Sequence, residues 1–148
     1  ALDELKKTNR DWEKKLFDLW MAIEEDVPTD FPHSTVSFDL WRSSVLSPCF
    51  LPEDCYVVVH QNKWVALSSY ERSSRTEETI STELSGVLPE YRRQGLCTAV
   101  KIFSLKDLRQ KKFRRVVTEN EENNPMFTIN QSLGFKKVGE ELAFKRSL

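Results

Sequence analysis

Two arginines, a glutamine and a glycine stand in a row at Arg92, Arg93, Gln94 and Gly95, between an apolar run ending at Leu88 and an amphipathic stretch beginning at Leu96. A strand that ends there and a helix that starts there leave the first backbone N–H groups of the helix unpaired, with roughly half a positive charge behind them. Such a turn suits a diphosphate. Gly95 removes the Cβ that would hold phosphate oxygens off the backbone, and two guanidinium forks add fixed charge. The same spacing also fits a solvated connection, so the turn alone leaves both readings open. It is not a P-loop, since no Lys-Ser or Lys-Thr pair follows the glycine, and it lacks the three glycines of the dinucleotide fingerprint. Residues 91–115 carry nine basic side chains against Asp107 alone. Those from Lys106 onward lie in the last turns of the expected helix, where cations complement its dipole.

The elements that must position this turn are legible from spacing and punctuation. Leu5, Trp12, Leu16, Leu19, Trp20 and Ile23 recur at mostly three- and four-residue intervals, which predicts one long helix from Leu2 to Glu25, stopped by Val27-Pro28. Ser37 is placed to cap a short second helix through Trp41 to Val45. Residues 55–60 and 64–70 read as strands joined by a turn at Gln61-Asn62-Lys63, and residues 79–88 as a third strand. A helix follows from Leu96 to about Lys112. Then come a strand at residues 115–118, a helix from Pro125 capped by Gly134, and closing strands at residues 135–138 and 142–145. This order predicts an α/β chain, of α+β type, with a mixed sheet.

Composition bounds the partners. The 148 residues suit a single domain, and 22 basic against 23 acidic residues give a net charge of −1, so nucleic acid is not an expected partner. No apolar run approaches the ~18 residues of a transmembrane helix, so no membrane is expected either. Cys49, Cys55 and Cys97 form neither a disulfide framework nor a metal knuckle, and with His33 and His60 the only histidines, no metal site is expected. Unpaired cysteines and the absence of a signal-peptide pattern predict a cytoplasmic chain.

Two runs, residues 84–101 (LSGVLPEYRRQGLCTAVK) and residues 118–135 (TENEENNPMFTINQSLGF), resemble the GNAT superfamily of N-acyltransferases. In that family an R/Q-x-x-G-x-G/A turn holds the diphosphate of acetyl-CoA. It falls here on Arg92, Gly95 and Cys97, the last departing from the usual glycine or alanine. The N-x-x-M and I-N-x-x-L-G-F motifs of one branch fall on Asn123, Met126, Ile129, Asn130, Leu133, Gly134 and Phe135. The match covers about residues 55–146, and the first strand usual for the fold would precede Leu2.

The resemblance implies a GNAT-like domain over residues 1–148, with a helical acceptor-side segment at 1–50 and a cofactor-binding core at 55–146. Its sheet splays open between the fourth and fifth strands, with helices on both faces. The implied activity is transfer of an acetyl group from acetyl-CoA to a small-molecule or peptide amine, by direct attack in a ternary complex; a homodimer is compatible with it. Implied cofactor contacts are Val87, Leu88, Arg92, Arg93, Gln94, Gly95, Leu96, Cys97, Thr98, Asn123, Met126 and Asn130. A backbone N–H near Val87 or Leu88 would polarise the thioester carbonyl.

Acylation needs an amine without its proton. Glu83, on the strand that feeds the turn and at the same alternation phase as Val87, is the expected base; an outward-facing strand glutamate is the plain alternative. Tyr70 is the other expected catalytic group, against an ordinary packing role, and His60 reads as a partly buried strand residue. Many members use a tyrosine four residues before Gly-Phe as the acid, and that place is Asn130. Trp20, Phe17 and Trp41 suit either core or the wall of an acceptor pocket. Two other readings remain: an acyl-CoA-binding module without catalysis, and a nucleic-acid binder acting through the basic helix.

Overall fold

The amphipathic N-terminal stretch forms two helices rather than one, α1 (Leu2–Thr8) and α2 (Trp12–Glu24). The break is at Asn9, whose backbone is extended (φ −118°, ψ 103°) and whose Nδ2 donates to the Leu5 carbonyl at 2.9 Å. An asparagine that bonds to the preceding turn competes with helix continuation, which the apolar spacing does not register. In α3 (Phe38–Val45) the expected cap is present, with the Leu40 N–H donating to Ser37 Oγ at 3.3 Å. The computed structural model describes residues 1–28, 36–48, 50–72, 76–111, 113–121 and 124–140. His33, Cys49, Lys112, Asn123 and the expected strand at 142–145 lie outside the described residues.

Among the described residues four strands form one sheet in the order β1 (Phe50–His60), β2 (Lys63–Arg72), β3 (Thr79–Val87), β4 (Arg115–Val117). The first three are antiparallel and β3–β4 is parallel, joined by a 3-10 turn at Pro89–Tyr91 and the crossover helix α4 (Leu96–Gln110). A last helix, α5 (Pro125–Ser132), follows β4. Gln61 and Asn62 have φ of 47° and 65°, so the hairpin turn is two residues long and Lys63 pairs with His60. Residues 135–138 carry no regular structure, and Val138 is 93% exposed, so the expected strand there is not formed.

Each face of the sheet carries its own core. Leu16, Leu19, Trp20 and Ile23 of α2 and Trp41 of α3 pack with Cys55, Trp64 and Leu67 on one face. Val100 and Leu108 of α4 pack with Tyr56, Tyr70 and Ile80 on the other. Trp20 and Trp41 are buried, and Phe17 meets Trp41 edge-on at 5.4 Å, so the core reading of these aromatics is the one the packing supports. Among the described residues no helix is long and apolar enough to cross a membrane, and no three His, Cys, Asp or Glu side chains are placed to hold a metal.

Two bulges set which side chain faces which core. β2 holds an extra residue at Val65, since Val59 pairs with Trp64 and Val58 with Ala66. β3 holds one at Glu83-Leu84, since Ser68 pairs with Ser85 and Tyr70 with Thr82. Above the second bulge Val87 and Ser85 face α4, while Gly86 faces α2. A Cβ on Gly86 would stand 2.3 Å from Ile23 Cγ2. Because a β-branched side chain in a helix has little rotamer freedom, α2 itself has to move. Gly86→Ala is therefore expected to destabilise the protein by about 1–3 kcal/mol through overpacking, measurable by urea denaturation.

The expected splay is present. β3 and β4 pair only at Thr79↔Arg115, Ile80↔Val116 and Ser81↔Val117, after which β4 ends and β3 continues to Val87 paired on its β2 side alone. These are the third and fourth strands here, because no strand precedes α1 among the described residues.

Candidate functional site

The turn at the end of β3 has the backbone of an anion site. Arg93 and Gly95 both adopt left-handed conformations (φ 59° and 75°), and α4 starts at Gly95 with no side chain capping it. The first-turn N–H groups of Leu96, Cys97 and Thr98 point out of the helix end, and the first intrahelical bond runs from Ala99 N–H to Gly95 O at 2.9 Å. A Cβ built on Gly95 meets no atom within 4 Å, so the space over these donors is open. Left-handed residues beside a helix start form the concave N–H arrays that hold phosphates.

Arg92 is engaged elsewhere than expected. Its Nε donates to Val87 O at 3.1 Å, and its guanidinium is ion-paired with Asp26, just beyond the end of α2. It straps the turn to the other face of the sheet, while Arg93 and Gln94 are exposed. The tip of the β1–β2 hairpin braces the same turn through Lys63–Glu90 (2.6 Å), and His60 Nδ1 stands 3.5 Å from the Tyr91 hydroxyl. His60 is exposed at that tip, not partly buried in the strand.

The ladder decides which backbone groups reach the gap. Leu88 N–H donates to Val65 O at 2.9 Å, so Leu88 is spent inside the sheet and is not the thioester donor expected from its position. In an antiparallel pair this bond makes Val87↔Ala66 a non-hydrogen-bonded pair, which turns the N–H and C=O of Val87, and by alternation of Ser85, away from β2 and into the gap. Val87 thus stays a candidate donor and Ser85 joins it. Nothing in the sequence marks Ser85, because the phase of a strand's hydrogen bonds is fixed by its partner.

Glu83 does not share the phase of Val87. The bulge puts it on the α2 face, beside Glu71 of β2 and Glu24 of α2. Its side chain is exposed, as the outward-facing alternative expects, yet partial burial of the carboxyl, the Glu71 carboxylate and then Glu24 push it up to about 7. Tyr70 lies on the opposite face, fully buried, with its hydroxyl 2.7 Å from Ser104 Oγ and 3.1 Å from Ser68 Oγ, which in turn stands 2.9 Å from Ser85 Oγ. Burial raises its phenol, with Ser104 and Ser68 opposing. A buried hydroxyl engaged by Ser104 and Ser68 supports the packing role of Tyr70 rather than the catalytic one.

The seam between α4 and α5 completes the surroundings of the gap. Cys97 Sγ lies 3.8 Å from Met126 Sδ, and Asn124 caps α5 by accepting the Met126 N–H at 2.8 Å. Burial raises the Cys97 thiol. Asn130, 4% exposed, donates Nδ2–H to Asn120 Oδ1 at 2.6 Å, and its own Oδ1 has no partner among the described residues. Lys101, one of the nine basic residues of 91–115, is completely buried in this seam, 5.7 Å from the Phe135 ring, and its Nζ has no hydrogen-bond partner among the described residues.

No protein-family model matches the sequence, and no curated protein matches it. Solved structures do. An aminoglycoside acetyltransferase, meta-AAC0020 from an uncultured soil metagenomic sample, solved in complex with sisomicin, aligns with a TM-score of 0.64 at 17% identity, over 100% of this chain and 92% of that one. The aminoglycoside N-acetyltransferase AAC(6')-Iy, solved with a CoA-containing bisubstrate analogue, gives 0.62 at 12% identity over 91% and 94%. The ribosomal-protein-S18-alanine N-acetyltransferase of Escherichia coli gives 0.63 at 21% identity over 83% and 74%. These proteins share the fold of this chain.

Proposed function

We propose that this chain, which has the GNAT acetyltransferase fold, is an N-acetyltransferase that moves an acetyl group from acetyl-CoA to a small-molecule amine by direct attack in a ternary complex. One observation carries the reading. A single strand, β3, has an open anion turn at its end, the N–H of Val87 and the N–H and C=O of Ser85 turned into the gap along its free edge, and a carboxyl pushed up to about 7 at its bulge.

Acetyl-CoA supplies an activated acetyl carbonyl and a thiol that leaves readily. The N–H groups of Leu96, Cys97 and Thr98, with the space over Gly95, receive its diphosphate. The N–H and C=O of Ser85 and the N–H of Val87 pair with its arm as a neighbouring strand would, and the N–H that meets the carbonyl oxygen stabilises the charge developing there. Glu83 takes the proton of the attacking amine, for which a midpoint near neutrality is well matched. Glu24 and Glu71 beside it favour a cationic acceptor, in keeping with the aminoglycosides named for two of the similar structures. The free thiols of Cys55 and Cys97 support a reducing, cytoplasmic setting.

Calorimetric titration with acetyl-CoA, followed by a CoA-release assay over aminoglycosides, polyamines and alanine-terminated peptides, tests the proposal. Binding in the ~1 µM to 1 mM range with release on at least one amine is the expected result. Absence of binding overturns the reading. Binding without transfer to any amine supports a cofactor-binding module instead.

Asn130 has no acidic proton to give, so its contribution is limited to a hydrogen bond. Asn130→Ala is expected to lower turnover by no more than about tenfold, the size of one missing hydrogen bond rather than of a missing general acid. A loss of several hundredfold in steady-state assays, with folding and CoA affinity intact, contradicts this.

A further inference from the structure

We propose that Lys101 is the group that returns a proton to the departing CoA sulfur, an inference that rests on the acyl-transfer reading above. Lys101 is 0% exposed and its Nζ has no hydrogen-bond partner among the described residues. A buried ammonium with no carboxylate against it is costly, and packing alone does not account for keeping one. A second orphan lies in the same seam. Phe135, whose ring faces Nζ at 5.7 Å, donates its N–H to the Asn130 carbonyl at 3.0 Å, and Asn130 Oδ1 is itself buried and has no partner among the described residues. An unmatched donor and an unmatched acceptor enclosed between two helices mark a place where a polar guest is missing.

The depth of that place is set by α4. The helix runs back from the anion turn alongside β3, and the step from Gly95 to Lys101 is about 9 Å at 1.5 Å per residue. One turn further, Ser104 connects through the Tyr70 and Ser68 hydroxyls to Ser85 on β3. Lys101 therefore lies on the side of Ser85 nearer the turn, level with the free edge. Its Nζ points toward the Phe135 ring, just beyond α5. Glu83 is on the α2 face of the sheet and Lys101 on the α4 side, with the gap between them.

This separation matches the two proton transfers of the reaction. The acceptor nitrogen bonds to the acetyl carbon and its proton passes to Glu83. The carbon–sulfur bond breaks with its electron pair on sulfur, a Lys101 N–H bond breaks and an S–H bond forms. Solvent then restores the Lys101 proton and takes the one held by Glu83. Burial lowers the hold of Lys101 on its proton, and Cys97, one turn back, is the titratable group acting against that shift. Just beyond α5 it meets the Phe135 ring, which carries no charge.

CoA itself is the probe. The ultraviolet absorbance of its thiolate is followed against pH in the bound state, with desulfo-CoA complexes subtracted to remove the thiols of the protein. In the wild type the bound thiol is expected to ionise at least about one pH unit below free CoA, because the ammonium favours the anion. In Lys101→Met the midpoint returns to that of free CoA or higher, desulfo-CoA affinity is unchanged, and kcat with any accepted amine falls about 100-fold. Methionine puts an apolar side chain of similar length in a buried place, so the variant is expected to fold; Lys101→Gln is a second neutral replacement. Equal midpoints in wild type and variants, with CoA bound to all, overturn the role of Lys101 alone. Failure of the wild type to bind CoA overturns the acyl-transfer reading, and this role with it.

Discussion

Glu83→Gln is expected to lower turnover by about 100-fold or more while leaving acetyl-CoA affinity unchanged, the signature of a missing base rather than of weakened binding. In the wild type the rate should rise with pH through a midpoint near 7, where the crowded carboxyl gives up its proton. The variant should lack that limb. Stability moves the other way. A carboxyl that binds its proton more tightly when folded than when unfolded contributes stability at low pH, which is lost as pH rises through its folded midpoint. Above pH 7 the charged Glu83 faces Glu71 and Glu24, so Glu83→Gln should melt no lower than the wild type at pH 8. Rate profiles and thermal melts on the same samples separate the two effects. A variant with full activity at every pH would remove Glu83 from the mechanism.

Gly95→Asp is expected to weaken acetyl-CoA binding by at least about 100-fold. Its side chain would enter the open space over the α4 N-terminus and bring a negative charge to where phosphate is to lie. Each charge-assisted hydrogen bond to phosphate is worth roughly 1.5 to 3 kcal/mol, and 1.4 kcal/mol is a factor of about ten. The fold should survive. Aspartate is among the few residues that visit the left-handed region, at a cost of about 1–2 kcal/mol. Gly95→Asn keeps the shape without the charge and should lose less affinity. Calorimetry with circular dichroism as the folding control gives the comparison, and unchanged affinity in folded Gly95→Asp moves the diphosphate site out of this turn.

The anion turn, both faces of helices and the splay were readable because each depends on local punctuation or on apolar spacing. Gly95 before an amphipathic run, Ser37 before Phe38 and the Gln61-Asn62 turn all carry their geometry in residue type. What the sequence misplaced depends on contacts made at a distance. One extra residue at Glu83-Leu84 reversed the faces of everything after it, so Glu83 and Val87 parted company. The same ladder took Leu88 out of the gap and turned Ser85 into it. Arg92 looked free because Asp26 lies far away in sequence. Lys101 looked like one cation among many, since no pattern distinguishes a lysine on a helix surface from one under a neighbouring helix.

A strand with bare backbone groups along one side is a hazard as well as a binding surface, because any extended segment of another molecule can zip onto it. On β3 that exposed length is short. It opens where β4 stops at Val117 and closes at Pro89, which has no N–H to offer, and Arg92 already occupies the carbonyl of Val87. Proline and a positively charged side chain at an edge are among the devices that keep sheets from recruiting one another. The slot therefore discriminates by length: it offers a few backbone groups to a slender guest with two amides, and too few in a row to nucleate aggregation with a passing polypeptide.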